Sequence, residues 1–158
     1  MSVEPTIEPT TETTIETTIE TTIESMDRPT ARELGLASMA AVAAGDREGW
    51  LALFSDDAVV EDPVGPSPFD PEGSGHRGHE AISDFYDNVI GVNESISFAI
   101  HQSFLCGDEV ANIGTIRINF AGGAAVEVDG VYCYRVAADG RLGGIRAFWQ
   151  ADQIRSVE

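Results

Sequence analysis

The chain has 158 residues, room for one domain and little beyond it. Its 27 acidic residues against nine basic ones give a formal charge of −18, which argues against a nucleic acid or an anionic membrane face as partner. No run of about 18 apolar residues occurs, and the start lacks the basic and then apolar segments of a secretory signal, so the sequence places the protein in the cytoplasm with no membrane partner.

Residues 2–25 repeat a four-residue unit closing on Glu4, Glu8, Glu12, Glu16, Glu20 and Glu24. Single Ile residues spaced by Thr and Glu bury too little to offset the entropy of ordering. Residues 1–26 are therefore expected to be a disordered tail with no catalytic role, and 27–158 a single domain. Met26 opens a stretch that reads as a domain start, with the expectation that translation begins there; mass spectrometry of the native N-terminus tests it.

Thr30 to Ala44 is expected to be the first helix, with Thr30 and Glu33 at capping-box spacing and Gly45 just past its end. A second helix, Asp46 to about Phe54, carries Trp50, Leu51, Leu53 and Phe54. A turn at Ser55 to Asp57 leads into a strand, Ala58 to Glu61. Pro63 to Gly78 holds four Pro and four Gly and reads as a long loop, either a lid or a solvated insertion. His79 to about Ile90 is the third helix, with Ile82, Phe85, Tyr86 and Val89 on one face.

Beyond it the pattern turns to strands: Ser95 to Leu105, Glu109 to Phe120, Ala124 to Val136 and Leu142 to Asp152, joined by short turns. Four successive strands form an antiparallel meander whose concave face three helices can cover, an α+β class. The space between suits a small apolar ligand.

Asp62 is the candidate general base. It ends the first strand, and Pro63 after it biases its backbone toward the extended region, so the backbone there is held rather than loose; the other reading of Asp-Pro is an ordinary strand-end turn. Along the third long strand, Tyr132 shares a face with Gly130, Tyr134 and Val136, while Val131, Cys133 and Arg135 take the other. Asp129, opposite in face to Tyr132, is expected to be exposed. Cys106 and Cys133 are expected to be buried free thiols in a reducing compartment. His76, His79 and His101 lack a third ligand at sensible spacing, so no metal is expected; no phosphate-binding loop is present and no cofactor is implied.

The runs GDREGWLALFSDDAVVEDPVG, GHEAISDFY and YRVAADGRLGGIRAFW resemble the ketosteroid isomerase family of the nuclear transport factor 2-like (SnoaL-like) superfold, over about residues 30–152. The DREGWLAL wording and the Pro/Gly loop are similar to its actinobacterial steroid isomerase-like branch. The resemblance implies an NTF2-like cone, three N-terminal helices on a curved antiparallel or mixed sheet with a deep apolar pocket. It also implies a Δ5-3-ketosteroid or similar apolar ketone as substrate, and a homodimer paired through the outer face of the sheet.

The family is a standard worked case of pKa tuning, with an Asp base of modestly raised pKa and an oxyanion hole of Tyr plus protonated Asp. Position by position, the resemblance puts the base on Asp62, the oxyanion Tyr on Ser38 and the protonated Asp on Tyr132. Tyr86 and Phe54 fall on supporting Tyr positions, and Trp149 on an aromatic of the steroid pocket. The base is kept and both oxyanion donors are changed, with Tyr132 able to replace the lost one. The expected function is therefore an Asp-mediated double-bond isomerase with Asp62 and Tyr132 catalytic and Ser38, Phe54, Tyr86 and Trp149 binding substrate. The alternatives are a non-catalytic binder of a steroid or other polycyclic molecule, or a cyclase or epoxide hydrolase, the last needing an Arg among Arg117, Arg135 and Arg146 beside Asp62.

Overall fold

The computed structural model describes residues 27–158, so the repeat of residues 2–25 and the reading of it as a tail lie outside the described residues. Helix α1 (Ala31–Ala44) starts at a complete capping box. Thr30 Oγ1 accepts from the Glu33 N–H at 3.1 Å, and the Glu33 carboxylate accepts from the Thr30 N–H at 3.3 Å. The helix ends on Gly45, at φ 67°, a left-handed conformation that costs glycine nothing. Helix α2 (Arg47–Ala52) is capped by Asp46, which accepts from the Gly49 N–H at 2.9 Å.

Strand β1 runs Phe54–Glu61, longer than the sequence pattern suggests. The expected turn at Ser55 to Asp57 is strand. Ser55 is buried, Asp56 and Asp57 face out, and a register shift between Phe54 and Val59 takes up the irregularity against β6. A bulge lets polar residues that read as a turn stay within the sheet.

The Pro/Gly loop is ordered around Asp70. Its carboxylate accepts from the N–H groups of Gly73 and Gly75 at 3.2 and 2.7 Å, and Val64 N–H donates to the Ala147 carbonyl at 2.8 Å. The loop closes into β2 (His76–Arg77), which pairs antiparallel with β1. Helix α3 (Gly78–Phe85) then gives way to a π-helical turn, Tyr86–Ile90, where one continuous helix was expected.

Strands β3 (Ser95–Cys106), β4 (Glu109–Asn119), β5 (Ala125–Val136) and β6 (Leu142–Phe148) form the expected antiparallel meander. The last expected strand is split: after β6 comes a 3-10 turn, Ala151–Gln153, and then β7 (Arg155–Val157), which pairs with the far end of β5. The sheet order is β2-β1-β6-β5-β4-β3, and β1 lies parallel to β6, so the sheet is mixed. The α+β class holds, with a curved open sheet and α1 laid across β3, β4 and β5.

The core gathers where helices meet sheet, around Trp50, Phe54, Val60, Ile82, Val110 and Leu142. Cys133 is half-buried, but Cys106 is exposed, contrary to the expectation of two buried thiols: it ends β3 at the outward phase of the alternation, beside the Gly107 turn. Among the described residues no helix is long and apolar enough to cross a membrane, and no three His, Cys, Asp or Glu side chains gather as a metal site.

Candidate active site

Between the helices and the inner face of the sheet lies a cavity of about 390 Å³, inside the usual range for a small-molecule site. Strand alternation supplies its wall: Ile116, Ile118, Val126, Val128, Ile145 and Ala147 all point inward. Phe69, from the Pro/Gly loop, stands at the rim and is 45% exposed. Against this apolar lining the polar groups are few, chiefly Asp62, Ser38, Tyr132, Tyr134, Trp149 and Asn93. Asn93 is already spent on its own turn, donating to the carbonyls of Val89 and Ile90 at 2.7 and 3.0 Å.

Asp62 sits one residue past β1, in a cis peptide with Pro63. Asp62 is half-buried and lines the cavity. Trp149 Nε1–H donates to its Oδ1 at 2.6 Å, a short charge-assisted bond that orients the carboxylate. Removal from water pushes the Asp62 carboxyl above its ordinary value, with the Trp149 bond and the nearby His76 pulling back part of the way. A carboxylate short of solvation is a stronger base than one in water. His76 packs its ring on Phe85, with centroids 4.8 Å apart, and its buried Nε2 has no hydrogen-bond partner among the described residues.

Tyr132 faces inward, as strand alternation requires, and is 4% exposed. Its ring turns back along β5 over Gly130, where an added Cβ would lie 3.2 Å from Tyr132 Cζ, and its hydroxyl donates to the Val128 carbonyl at 2.8 Å. The edge of β5 that pairs with β6 over Val131–Val136 and with β7 over Ala125–Glu127 has no partner strand at Val128 to Gly130. The Tyr132 hydroxyl thus satisfies a backbone carbonyl left over in that gap.

Ser38 lies on α1, 2% exposed, and lines the cavity. It accepts from Trp50 Nε1–H at 2.9 Å. Phe54 and Tyr86 stand a layer further back. Both pack on Trp50, with ring centroids 4.7 and 5.4 Å from it, and neither belongs to the cavity wall. The structure therefore brings Asp62, Tyr132, Ser38 and Trp149 to one cavity and leaves Phe54 and Tyr86 in the core behind it.

Two residues that sequence reasoning did not single out belong to the site. Trp50 carries Ser38, and Tyr134 contributes a second phenol on the same face of β5 as Tyr132. The period-2 alternation already held the signal for Tyr134. The basic candidates lie elsewhere. Arg146 pairs with Glu61 at 2.6 Å, Arg117 with Glu127 at 3.6 Å, and Arg135 donates to the Gly143 carbonyl at 3.0 Å. None of the three lines the cavity, so the Asp/Arg/Asp arrangement for epoxide opening is absent among the described residues.

Residues 36–151 match the SnoaL-like domain family. Among solved structures, Rv0760c from Mycobacterium tuberculosis in complex with estradiol-17β-hemisuccinate is 39% identical, with a TM-score of 0.74, covering 79% of this chain and 97% of that one. A Δ5-3-ketosteroid isomerase from Mycobacterium sp. is 36% identical, with a TM-score of 0.76 over 80% of this chain and 98% of that one. A computationally designed 17-OHP binder is also 36% identical, with a TM-score of 0.75 over 80% and 98%.

Proposed function

We propose that this chain, which belongs to the SnoaL-like domain family, moves a carbon–carbon double bond in a flat, apolar ketone of steroid size, with Asp62 as the proton carrier. The observation that carries this reading is a solitary carboxylate in an apolar cavity, oriented by Trp149 and held above its ordinary pKa by removal from water.

The Asp62 carboxylate takes a proton from the carbon between the carbonyl and the double bond. The C–H electron pair moves toward the carbonyl oxygen to give a dienolate. The protonated Asp62 returns the same proton to the far carbon of the former double bond, and the carbonyl reforms in conjugation. Atoms and charge balance without a cofactor, and the apolar wall keeps water from taking the proton. Likeness to a ketosteroid isomerase and to a protein complexed with an estradiol ester supports the substrate class.

Androst-5-ene-3,17-dione incubated with the protein should give the absorbance of the conjugated enone, and Asp62→Asn should abolish that gain. No gain from the wild type, or an undiminished gain from the variant, overturns the reading.

A second reading, binding without turnover, draws on the engagement of the Tyr132 hydroxyl by the Val128 carbonyl, which takes away the donor expected for the dienolate. Calorimetry with equilenin beside a null turnover assay separates the two readings.

A further inference from the structure

We infer that Tyr134, not Tyr132, is the catalytic phenol of this cavity, and that Tyr134 with Ser38 and Trp50 forms a seat for the keto, enolate or phenolic oxygen of the ligand. The inference rests on the reading that the cavity takes an oxygen-bearing apolar molecule, and it adds where that oxygen goes.

Tyr132 and Tyr134 are two apart on β5 and both line the cavity, yet their hydroxyls differ in what they have left to give. A phenol has one proton to donate. Tyr132 places its proton on the Val128 carbonyl at 2.8 Å, and turning it toward a ligand would strand that buried carbonyl. Tyr134 is 5% exposed, and its hydroxyl is neighboured by Ser38, whose oxygen already accepts from Trp50 Nε1–H at 2.9 Å. An enclosed phenol in a cavity wall, beside a serine oxygen that is already engaged, has its proton to offer to a ligand.

The surroundings of Tyr134 prepare it for this role. Its ring lies against Gly35 of α1, where an added Cβ would come within 2.9 Å of Tyr134 Cδ2. Helix and strand thus meet at a contact that only glycine allows, and the ring is fixed between them. Trp50 Nε1–H donates to Ser38 Oγ at 2.9 Å, so the Ser38 proton is directed onward, and the neighbouring Tyr134 oxygen gains from it. The indole polarises the Ser38 hydroxyl, and Ser38 and Tyr134 line the same cavity. Removal from water and the Asp62 charge keep the Tyr134 phenol protonated far above neutral pH, so it stays a donor wherever Asp62 is a base.

Ser38 occupies a cavity position on α1 where a hydroxyl by itself reaches only a short way. Tyr134 extends that hydroxyl from the opposite wall, so the donor now comes from strand rather than helix. In the isomerisation, the oxygen that gains charge when Asp62 removes the proton would accept the Tyr134 O–H hydrogen bond; no covalent bond to the protein forms.

The test uses equilenin and its 3-deoxy analogue as probes, with affinities measured by calorimetry for the full chain and for Tyr134→Phe, Tyr132→Phe and Gly35→Ala. Wild type should prefer equilenin over the deoxy compound by about tenfold or more, the scale of a hydrogen bond to a charged or developing-charge oxygen. Y134F should erase that preference while still binding the deoxy compound, and G35A, which displaces the ring and leaves its hydroxyl, should reduce it. Y132F should keep the preference. In turnover, Y134F should lose roughly 10²–10³-fold in kcat, the usual cost of one oxyanion donor.

Loss of the preference in Y132F with its retention in Y134F overturns the inference, as does equal loss in both. Turnover by the wild type with Y134F unaffected overturns the inference and leaves the isomerase reading standing. Hydroxyl-selective binding through Tyr134 without any turnover upholds the seat and removes the isomerase reading. No preference in the wild type removes the seat.

Discussion

Asp62 and Asp129 stand on opposite faces of the same sheet in opposite electrostatic states. Asp62, just past β1, looks into the cavity, has Trp149 as its hydrogen-bond donor, and is held above its ordinary pKa by removal from water. Asp129, in β5, faces outward. It accepts from Thr115 at 2.6 Å and from the guanidinium of Arg155, and those bonds hold its carboxyl below the ordinary value. Arg155 reaches Glu127 as well, at 3.1 Å, so at this patch of the outer face one base serves two acids. Among the described residues no arginine lines the cavity. Of the many acids among those residues, Asp62 is the one whose carboxylate lines the cavity, in the place where a proton acceptor is useful.

The largest expected effect breaks this contrast directly. Asp62→Asn should lower kcat on androst-5-ene-3,17-dione by roughly 10²–10⁴-fold, the range attributed to a positioned general base. Asp129→Asn should leave kcat unchanged in the same steady-state assay.

Next in size is Trp149→Phe, which removes the indole donor from Asp62. Without that bond the balance tips further toward desolvation, so the acid limb of the kcat/KM profile moves to higher pH. On that limb the rate should fall about tenfold, consistent with a hydrogen bond to a charged group.

Phe69→Ala sharpens a different part of the contrast, the rim. Phe69 is 45% exposed. Truncating a side chain that a ligand covers partly should cost about 1 kcal/mol, or roughly fivefold in KM with kcat unchanged.

The smallest effects are on stability, and their signs oppose. Asp62 has a folded pKa above its unfolded value, so the stability present below the unfolded pKa is lost as pH rises through the folded one. Asp62→Asn should therefore raise Tm at neutral pH by about 4 °C, with the gain vanishing near pH 3.8, the ordinary value for Asp. Asp129 has a depressed folded pKa, and its contribution is present above the unfolded value and lost as pH falls through the folded one. Asp129→Asn should lower the neutral Tm, by less than the Asp62 gain, because exposed ion pairs are screened. Scanning calorimetry across pH reads both.

Much of this arrangement was legible from residue patterns alone. The capping box at Thr30 and Glu33, the Gly45 stop and the four-strand meander follow from local chemistry, and each begins within a residue or two of where the pattern put it, though the last strand ends four residues early, at Phe148. Period-2 alternation turned Tyr132 inward and Asp129 outward. The parallel pairing of β1 with β6 and the bulge that keeps Ser55 to Asp57 in the sheet are long-range outcomes, and no local signal separates such a bulge from a turn.

The same limit applies within the site. Phe54 and Tyr86 can be placed in register by counting, but the ring of Trp50 decides that they stand behind the cavity wall. Tyr134 was in plain view on the alternating face. What distinguishes it from Tyr132 is a carbonyl at Val128 left without a strand partner, and a gap between β6 and β7 is a property of the assembled sheet.

The central claim, that an enclosed carboxylate in an apolar cavity serves as the base, is tested most directly by the pH dependence of kcat/KM for the wild-type protein on androst-5-ene-3,17-dione. The predicted profile has a single acid limb, with its midpoint above 3.8, the ordinary value of an aspartic acid. A limb at or below that value, or the absence of turnover at every pH, would contradict it.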